Sequence, residues 1–205
     1  MKIISTNLAE PKTFIWNGKE EKTGIYKKPT GNPIFLTKND VINDEISNRL
    51  NHGGYYKACY VFSAEQYPYW KNLYPNLDWS WGMFGENLTL SDFDECKVFL
   101  GDIYQVGEAL VQVSQYREPC YKLGHKFGTQ KVIKQFIEHG FGGTYLSILN
   151  EGYVNVDDEF TLVERPDESL SVTELFQLVF SKNKDQCENA KQKFCSEEST
   201  NDQCV

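Results

Sequence analysis

The segment Arg117-Glu118-Pro119-Cys120 carries the residue types in this chain best suited to chemistry. Pro119 has a fixed φ and biases Glu118 toward extended backbone, so the Cys120 thiol is presented from a stiffened loop. Arg117 and Lys122 lie close by in sequence, and cations beside a cysteine favour its thiolate form. A thiolate acts as a nucleophile or as a ligand to a sulfur-seeking metal, and is a poor ligand for magnesium or calcium. The other reading is an inert loop cysteine that packs as a small hydrophobe. Between Gln112 and Lys134 stand five basic residues, Arg117, Lys122, Lys126, Lys131 and Lys134, against the single acidic Glu118. This local excess suits an anion, and a helix opening near Thr129 offers backbone N–H donors for a phosphate. A solvated lysine-bearing helix face would look the same in sequence.

Two further segments could line a site. In Asn51-His52-Gly53-Gly54 the glycines permit positive φ or close approach to a ligand, and His52 either donates to a cofactor oxygen or ties a tight turn. In Phe84-Gly85-Glu86-Asn87-Leu88-Thr89, Asn87 offers amide donors and an acceptor, and Glu86 is a candidate acid or base. The alternative is a capped turn leading into a strand. Phosphate-binding loops, dinucleotide-binding glycine motifs, zinc-protease helices and nucleophile elbows have no match, so nucleotide kinases, Rossmann enzymes, zincins and serine hydrolases lose their usual support.

The elements that must position these groups read mainly as strands. Thr13–Trp16 ends at the Asn17-Gly18 turn signal, Gly24–Tyr26 resumes extended character, and Ile34–Leu36 follows a Gly-Asn-Pro turn. Lys57–Phe62 reads as a strand, then Ser63 to Gln66 has the form of a capping box for a helix reaching about Asn72. Val98–Leu100 and Ala109–Ser114 are expected strands joined through Gly101-Asp102 and Gly107, with Val111 and Val113 on one face. Gly128-Thr129 opens a helix whose stripe is Val132, Ile133, Phe136 and Ile137, ending at Gly140. Tyr145–Leu149 and Phe160–Val163 close the sheet. Ser171 to Glu174 forms a second capping box before Leu175, Phe176, Val179 and Phe180 at helical spacing.

With 205 residues, 40% hydrophobic and 24% charged, the chain can bury a full core as one globular domain. The expected division is residues 1–165 as the β domain and 166–205 as a short helical segment, partly disordered at its end. A formal charge of −8 disfavours nucleic acid and anionic membranes as general partners. Met1 to Ser5 has no secretory character and no run approaches a membrane span, so a cytoplasmic protein is expected. The six cysteines, Cys59, Cys96, Cys120, Cys187, Cys195 and Cys204, form no C-x-x-C pair, which gives zinc and iron–sulfur readings little support.

Taken in order, His52-Gly53-Gly54, Phe84 to Thr89, Gly101-Asp102, Val113-Ser114-Gln115 and Arg117 to Leu123 resemble the MOSC domain, named for the C-terminal domain of molybdenum cofactor sulfurase. The likeness spans about Met1 to Val163 and is strongest to the stand-alone bacterial type. It implies a mostly β, β-barrel-like fold with peripheral helices and a short C-terminal helical appendage. It implies a molybdenum cofactor (molybdopterin) whose only protein ligand is Cys120, with His52 and Asn87 as catalytic neighbours. Arg117, Ser114, Lys122, Gly53, Gly54 and Lys57 would hold the cofactor; pyridoxal phosphate is not expected. The implied activity is reduction of N-hydroxylated small molecules, such as hydroxylamino purine analogues, with electrons from an external reductase. A non-catalytic carrier of the cofactor would use the same residues, and a homodimer is left open. The chain departs from the family pattern at Asn48, Tyr56, Tyr116, Ser147 and Asp157.

Overall fold

The computed structural model describes residues 1–45 and 53–180. His52, Asn48, Cys187, Cys195, Cys204 and the expected disordered tail lie outside these residues. Strands β1 (Lys2–Leu8), β4 (Lys28–Pro29), β6 (Cys59–Ser63), β7 (Leu88–Ser91), β8 (Ile103–Val106), β9 (Ala109–Tyr116), β10 (Thr144–Asn150) and β12 (Thr161–Glu164) build one sheet, in the order β12-β8-β9-β10-β6-β7-β1-β4. Two small pairs stand apart from it: a hairpin of β2 (Lys12–Trp16) with β3 (Lys19–Thr23), and β5 (Ile34–Leu36) with β11 (Gly152–Val154). Within the large sheet only β6 and β7 run parallel. Parallel neighbours need a crossover, which helix α1 (Tyr67–Leu73) provides.

The sheet curls until its ends meet. Residues just before β12 bond to the start of β1: Asp157 N donates to Ile3 O at 2.8 Å, Ile3 N to Asp158 O at 3.0 Å, and Phe160 N to Met1 O at 2.9 Å. These bonds satisfy an edge that would otherwise be open. Asp157 sits at φ +76°, a left-handed backbone that aspartate tolerates better than most residues. The interior of the barrel is aliphatic, with Ile3, Val61, Leu88, Leu90, Val106, Val111, Val113, Leu146 and Ile148 in one cluster. The expected alternation holds in β9, where Ala109, Val111 and Val113 are buried and Leu110, Gln112 and Ser114 are not.

A second, largely aromatic cluster covers one outer face. Tyr60, Phe62 and Tyr145 of the sheet pack with Trp70 of α1, Phe127 of α2 (Tyr121–Phe127), Phe136 of α3 (Lys131–His139) and Phe176 of α4 (Val172–Phe180). Strand β6 is therefore buried on both sides, Val61 inward and Tyr60 and Phe62 outward.

Several expected elements differ. Val98–Leu100 is a turn with one bridge, Phe99 to Ser171; the strand is β8, between the two expected turns. The Ser63 box does not form: its Oγ donates to Glu65 Oε2 at 2.7 Å, and the α-helix begins only at Tyr67, where Pro68 fits the first turn. The stretch after Cys120, where the sequence pattern predicts no element, is the helix α2, and Gly128 at φ +73° terminates it before α3 starts at Lys131. The C-terminal box does form. Glu174 N donates to Ser171 Oγ at 3.2 Å, and Ser171 N donates to Glu174 Oε2 at 2.8 Å. Ser171→Ala is expected to lower the stability of the protein by about 1 kcal/mol in urea unfolding. An unchanged midpoint would show that packing of Phe176 alone holds α4.

Candidate active site

The β2–β3 hairpin turns at Asn17 and Gly18, both at positive φ, as a two-residue Asn-Gly turn requires. Its return strand leads into residues 23–27, where Thr23, Ile25 and Lys27 share the buried phase. This segment lies along α2: Phe14 stacks on His125 at 4.2 Å and Lys122 Nζ donates to Lys22 O at 2.7 Å. Between hairpin, sheet and α2 opens a cleft. Its walls carry Cys120, Arg117, Lys122, Lys57, Asn87, Lys27, Asp44, Glu45, Tyr60 and Tyr145.

Arg117 and Cys120 flank Pro119 at the end of β9, so the strand aims them and α2 fixes the chain beyond. Cys120 is a half-buried free thiol. Arg117 is 6% exposed, and its guanidinium lies 4.5 Å above the Tyr60 ring. Burial opposes its charge, but Tyr60, Tyr145 and Cys120 more than offset that penalty. Its Nε is buried with no hydrogen-bond partner among the described residues. A buried guanidinium donor is rarely left unsatisfied, and here it stands beside a cleft. Tyr60 is fixed in turn, because its hydroxyl donates to Gly142 O at 2.6 Å.

Lys57 reaches the cleft from a single 3-10 turn, Tyr55–Lys57. Gly54 starts that turn at φ +92°, and a Cβ there would meet nothing, so backbone conformation alone selects glycine. Gly24 is the reverse case: a Cβ would fall 1.8 Å from Glu45 O, so the cleft wall closes only around a bare backbone. Gly24→Ala is expected to cost about 1–3 kcal/mol by overpacking, read as a lower urea midpoint. A wild-type midpoint would mean that the 23–27 segment moves freely.

The other expected site residues divide. Asn87 lines the cleft, but its amide is committed: Oδ1 accepts from Tyr60 N at 3.2 Å, and Nδ2 donates to Asp44 Oδ2 at 2.9 Å and Asn7 O at 3.4 Å. Ser114 is not in the wall; its Oγ donates to Tyr56 O at 2.7 Å. Gly53 and Gly54 shape the approach to Lys57 and do not line the cleft. Glu86 is a loop anchor, accepting from Gly82 N at 2.9 Å, Phe84 N at 3.0 Å, Thr89 Oγ1 at 3.0 Å and the Tyr67 hydroxyl. Of the basic run, Arg117 and Lys122 face the cleft, while Lys131 is exposed and Lys134 pairs with Glu138 on the surface. Lys126 donates to Ile25 O at 2.9 Å and Gly82 O at 2.8 Å, tying the 23–27 segment and the Gly82 turn to α2. Burial pushes its ammonium down to about 7, with Arg117 and Lys27 adding to the effect and Glu86 opposing it.

Sequence reading missed Lys27, Asp44, Tyr60 and Tyr145. One signal was present: Lys27 occupies the buried phase of an alternating stretch, where a lysine needs a partner. The departures have visible consequences. Tyr116 meets Phe176 and Phe180 edge-on at 6.4 and 5.8 Å and so docks α4, whereas Ser147 is buried with its Oγ unpartnered. Among the described residues no group of three or more His, Cys, Asp or Glu could hold a metal, and no helix is long and apolar enough to cross a membrane.

The chain belongs to the MOSC domain family, whose model matches residues 48–161. Relatives extend the likeness beyond that span. The chain is 37% identical over 170 residues to YflK of Bacillus subtilis, covering 83% of this chain and 76% of that protein. It is 31% identical over 169 residues to a protein named reductase in Gibberella moniliformis, covering 81% of this chain and 30% of that longer protein. The crystal structure of YiiM from Geobacillus stearothermophilus superposes with a TM-score of 0.75 at 31% identity, covering 92% of this chain and 89% of that one.

Proposed function

We propose that this chain binds a molybdenum–pterin cofactor through Cys120 and reduces N-hydroxylated small molecules in the cytoplasm, with an external reductase as electron source. The observation that carries this is the buried, unpartnered Nε of Arg117 beside the half-buried Cys120 thiol in one cleft. A soft donor and a cation with a spare N–H fit the two ends of such a cofactor, its metal and its anionic phosphate. Arg117, Lys122 and Lys57 would hold the phosphate side, and Cys120 the metal side. When bound, the cofactor supplies two-electron chemistry at the substrate oxygen. The protein's own part is to fix the thiol on a stiff loop, hold Arg117 over Tyr60, and narrow the cleft through Gly24 and Lys126. The reductase name of the fungal relative points the same way.

The test is metal analysis of protein from a molybdenum-replete host, followed by turnover of a hydroxylamino purine with an artificial electron donor. Molybdenum with turnover supports the reading. Molybdenum retained without turnover makes the chain a cofactor carrier, and absence of the metal rejects both.

A further inference from the structure

A buried ion pair forms part of the cleft wall. The side chains of Lys27 and Asp44 are 7% and 1% exposed, and both belong to the wall that carries Cys120. Asp44 is saturated: Oδ1 accepts from Ala9 N at 2.9 Å, and Oδ2 accepts from Asn87 Nδ2 at 2.9 Å and from Lys27. Lys27 is not saturated. Its ammonium has three N–H donors, and Asp44 is its one hydrogen-bond partner among the described residues. Two donors of a buried cation are thus left for whatever occupies the cleft, and leaving such donors unmet is unfavourable. The pair is rigid because Asn87, which also holds Tyr60, and the β1-end backbone at Ala9 fix the carboxylate.

We propose that Lys27 is the proton donor of this cleft: its spare N–H groups hold the hydroxyl oxygen of an N-hydroxylated substrate and deliver a proton to it as the N–O bond breaks. The proposal rests on the reductase reading above. The overall change is R–NH–OH + 2 e⁻ + 2 H⁺ → R–NH₂ + H₂O. The N–O bond breaks, and nitrogen keeps both electrons of the reduction and takes one proton from water. Oxygen leaves as water, carrying its own hydrogen and the one from Lys27. Both electrons come from a separate redox protein of the flavin class. Lys27, left as a neutral amine beside Asp44, is reprotonated by solvent in the cleft. Its surroundings suit that exchange. Burial lowers the Lys27 ammonium from the ordinary lysine value, against the opposing pull of Asp44, Cys59 and Glu86, and Lys126 is a further cation near the same wall. Of the other cleft groups among the described residues, Asn87 is fully bonded, Arg117 does not give up its proton near neutral pH, and Lys57 and Lys122 are half-exposed ammonium groups, so Lys27 is the buried ammonium of this wall.

The experiment uses molybdenum-loaded protein, a hydroxylamino purine as substrate and reduced methyl viologen as donor. Lys27→Arg keeps the cation and the pair but removes the transferable proton. It is expected to lower kcat about 100-fold or more with KM within about threefold and an unchanged molybdenum content. The wild-type kcat should fall on the alkaline side, and that limb should be missing in Lys27→Arg. A double variant, Lys27→Gln with Asp44→Asn, avoids an unpaired buried charge and carries the test if arginine disrupts folding. It should lose kcat equally and also bind the hydroxylamino purine at least about tenfold more weakly, followed by tryptophan fluorescence. Wild-type kcat with an unchanged alkaline limb in either variant overturns the proposal and leaves the reductase reading standing. A loaded wild-type protein that reduces no N-hydroxylated substrate overturns that reading, and the proposal with it.

Discussion

Cys120→Ala protein, expressed beside the wild type in a molybdenum-replete host, will fold normally and retain less than about one-hundredth of the metal. Loss of groups that merely support a ligand lowers metal affinity about 10–100-fold, and loss of the ligand itself must exceed that. Stability should move by no more than about 0.5 kcal/mol, because Cys120 is half-buried in a loop and its side chain caps nothing in α2. Turnover of the hydroxylamino purine should disappear with the metal. Metal analysis, turnover and a urea midpoint measured on the same preparation separate a site effect from a folding effect. Wild-type metal content in the variant would remove Cys120 from the site and return it to the small-hydrophobe reading.

The second large effect concerns stability and lies outside the cleft. Glu95 is 1% exposed; its Oε2 accepts from Gly142 N at 3.1 Å and Gly143 N at 3.0 Å, and its Oε1 has no partner among the described residues. Burial pushes its carboxyl up to about 8, and the two backbone N–H groups only partly oppose that. In the unfolded chain the same group ionises near its ordinary value of 4.5. Between these values the folded protein holds a proton that the unfolded chain has released, so the contribution of Glu95 to stability is full below about 4.5 and declines as pH rises toward about 8. The decline should total roughly 2–5 kcal/mol. Glu95→Gln keeps a neutral group of the same shape, so it should lack this decline. The variant should be no more stable than wild type at pH 5 and clearly more stable above pH 8, in urea unfolding followed at each pH. Parallel curves for the two proteins would rule the carboxyl out as the source of the slope. Because Gly142 O also receives the Tyr60 hydroxyl beneath Arg117, the segment Glu95 secures is part of the support of the cleft.

Local signals were read well where neighbours in sequence decide the outcome. The Asn17-Gly18 turn, the alternation in β9, the Gly140 cap and the Ser171–Glu174 box all need only a few consecutive residues, and all are present. Reading failed where two local rules compete. Ser63 had the form of a cap but follows a strand buried on both sides, so the chain enters α1 through a 3-10 turn led by packing. The helix α2 leaves little signal in the sequence because it is short and its buried large apolar residues, Leu123 and Phe127, are few.

By itself the sequence determined the loop that carries Cys120. Arg117, Pro119 and Cys120 lie within four residues, so connectivity alone keeps cation and thiol together, and their order among the glycine segments marks the family. Only the tertiary structure decided what stands opposite them. Lys27, Asp44 and Tyr60 come from separate strands and turns, and they meet Cys120 because the barrel closes and the hairpin lies down on α2. Pairing of Lys27 with Asp44, like the stranded Nε of Arg117, is a consequence of burial. Burial is a property of the packed surface and not of any stretch of chain, so side-chain type and spacing could name the thiol but not its surroundings.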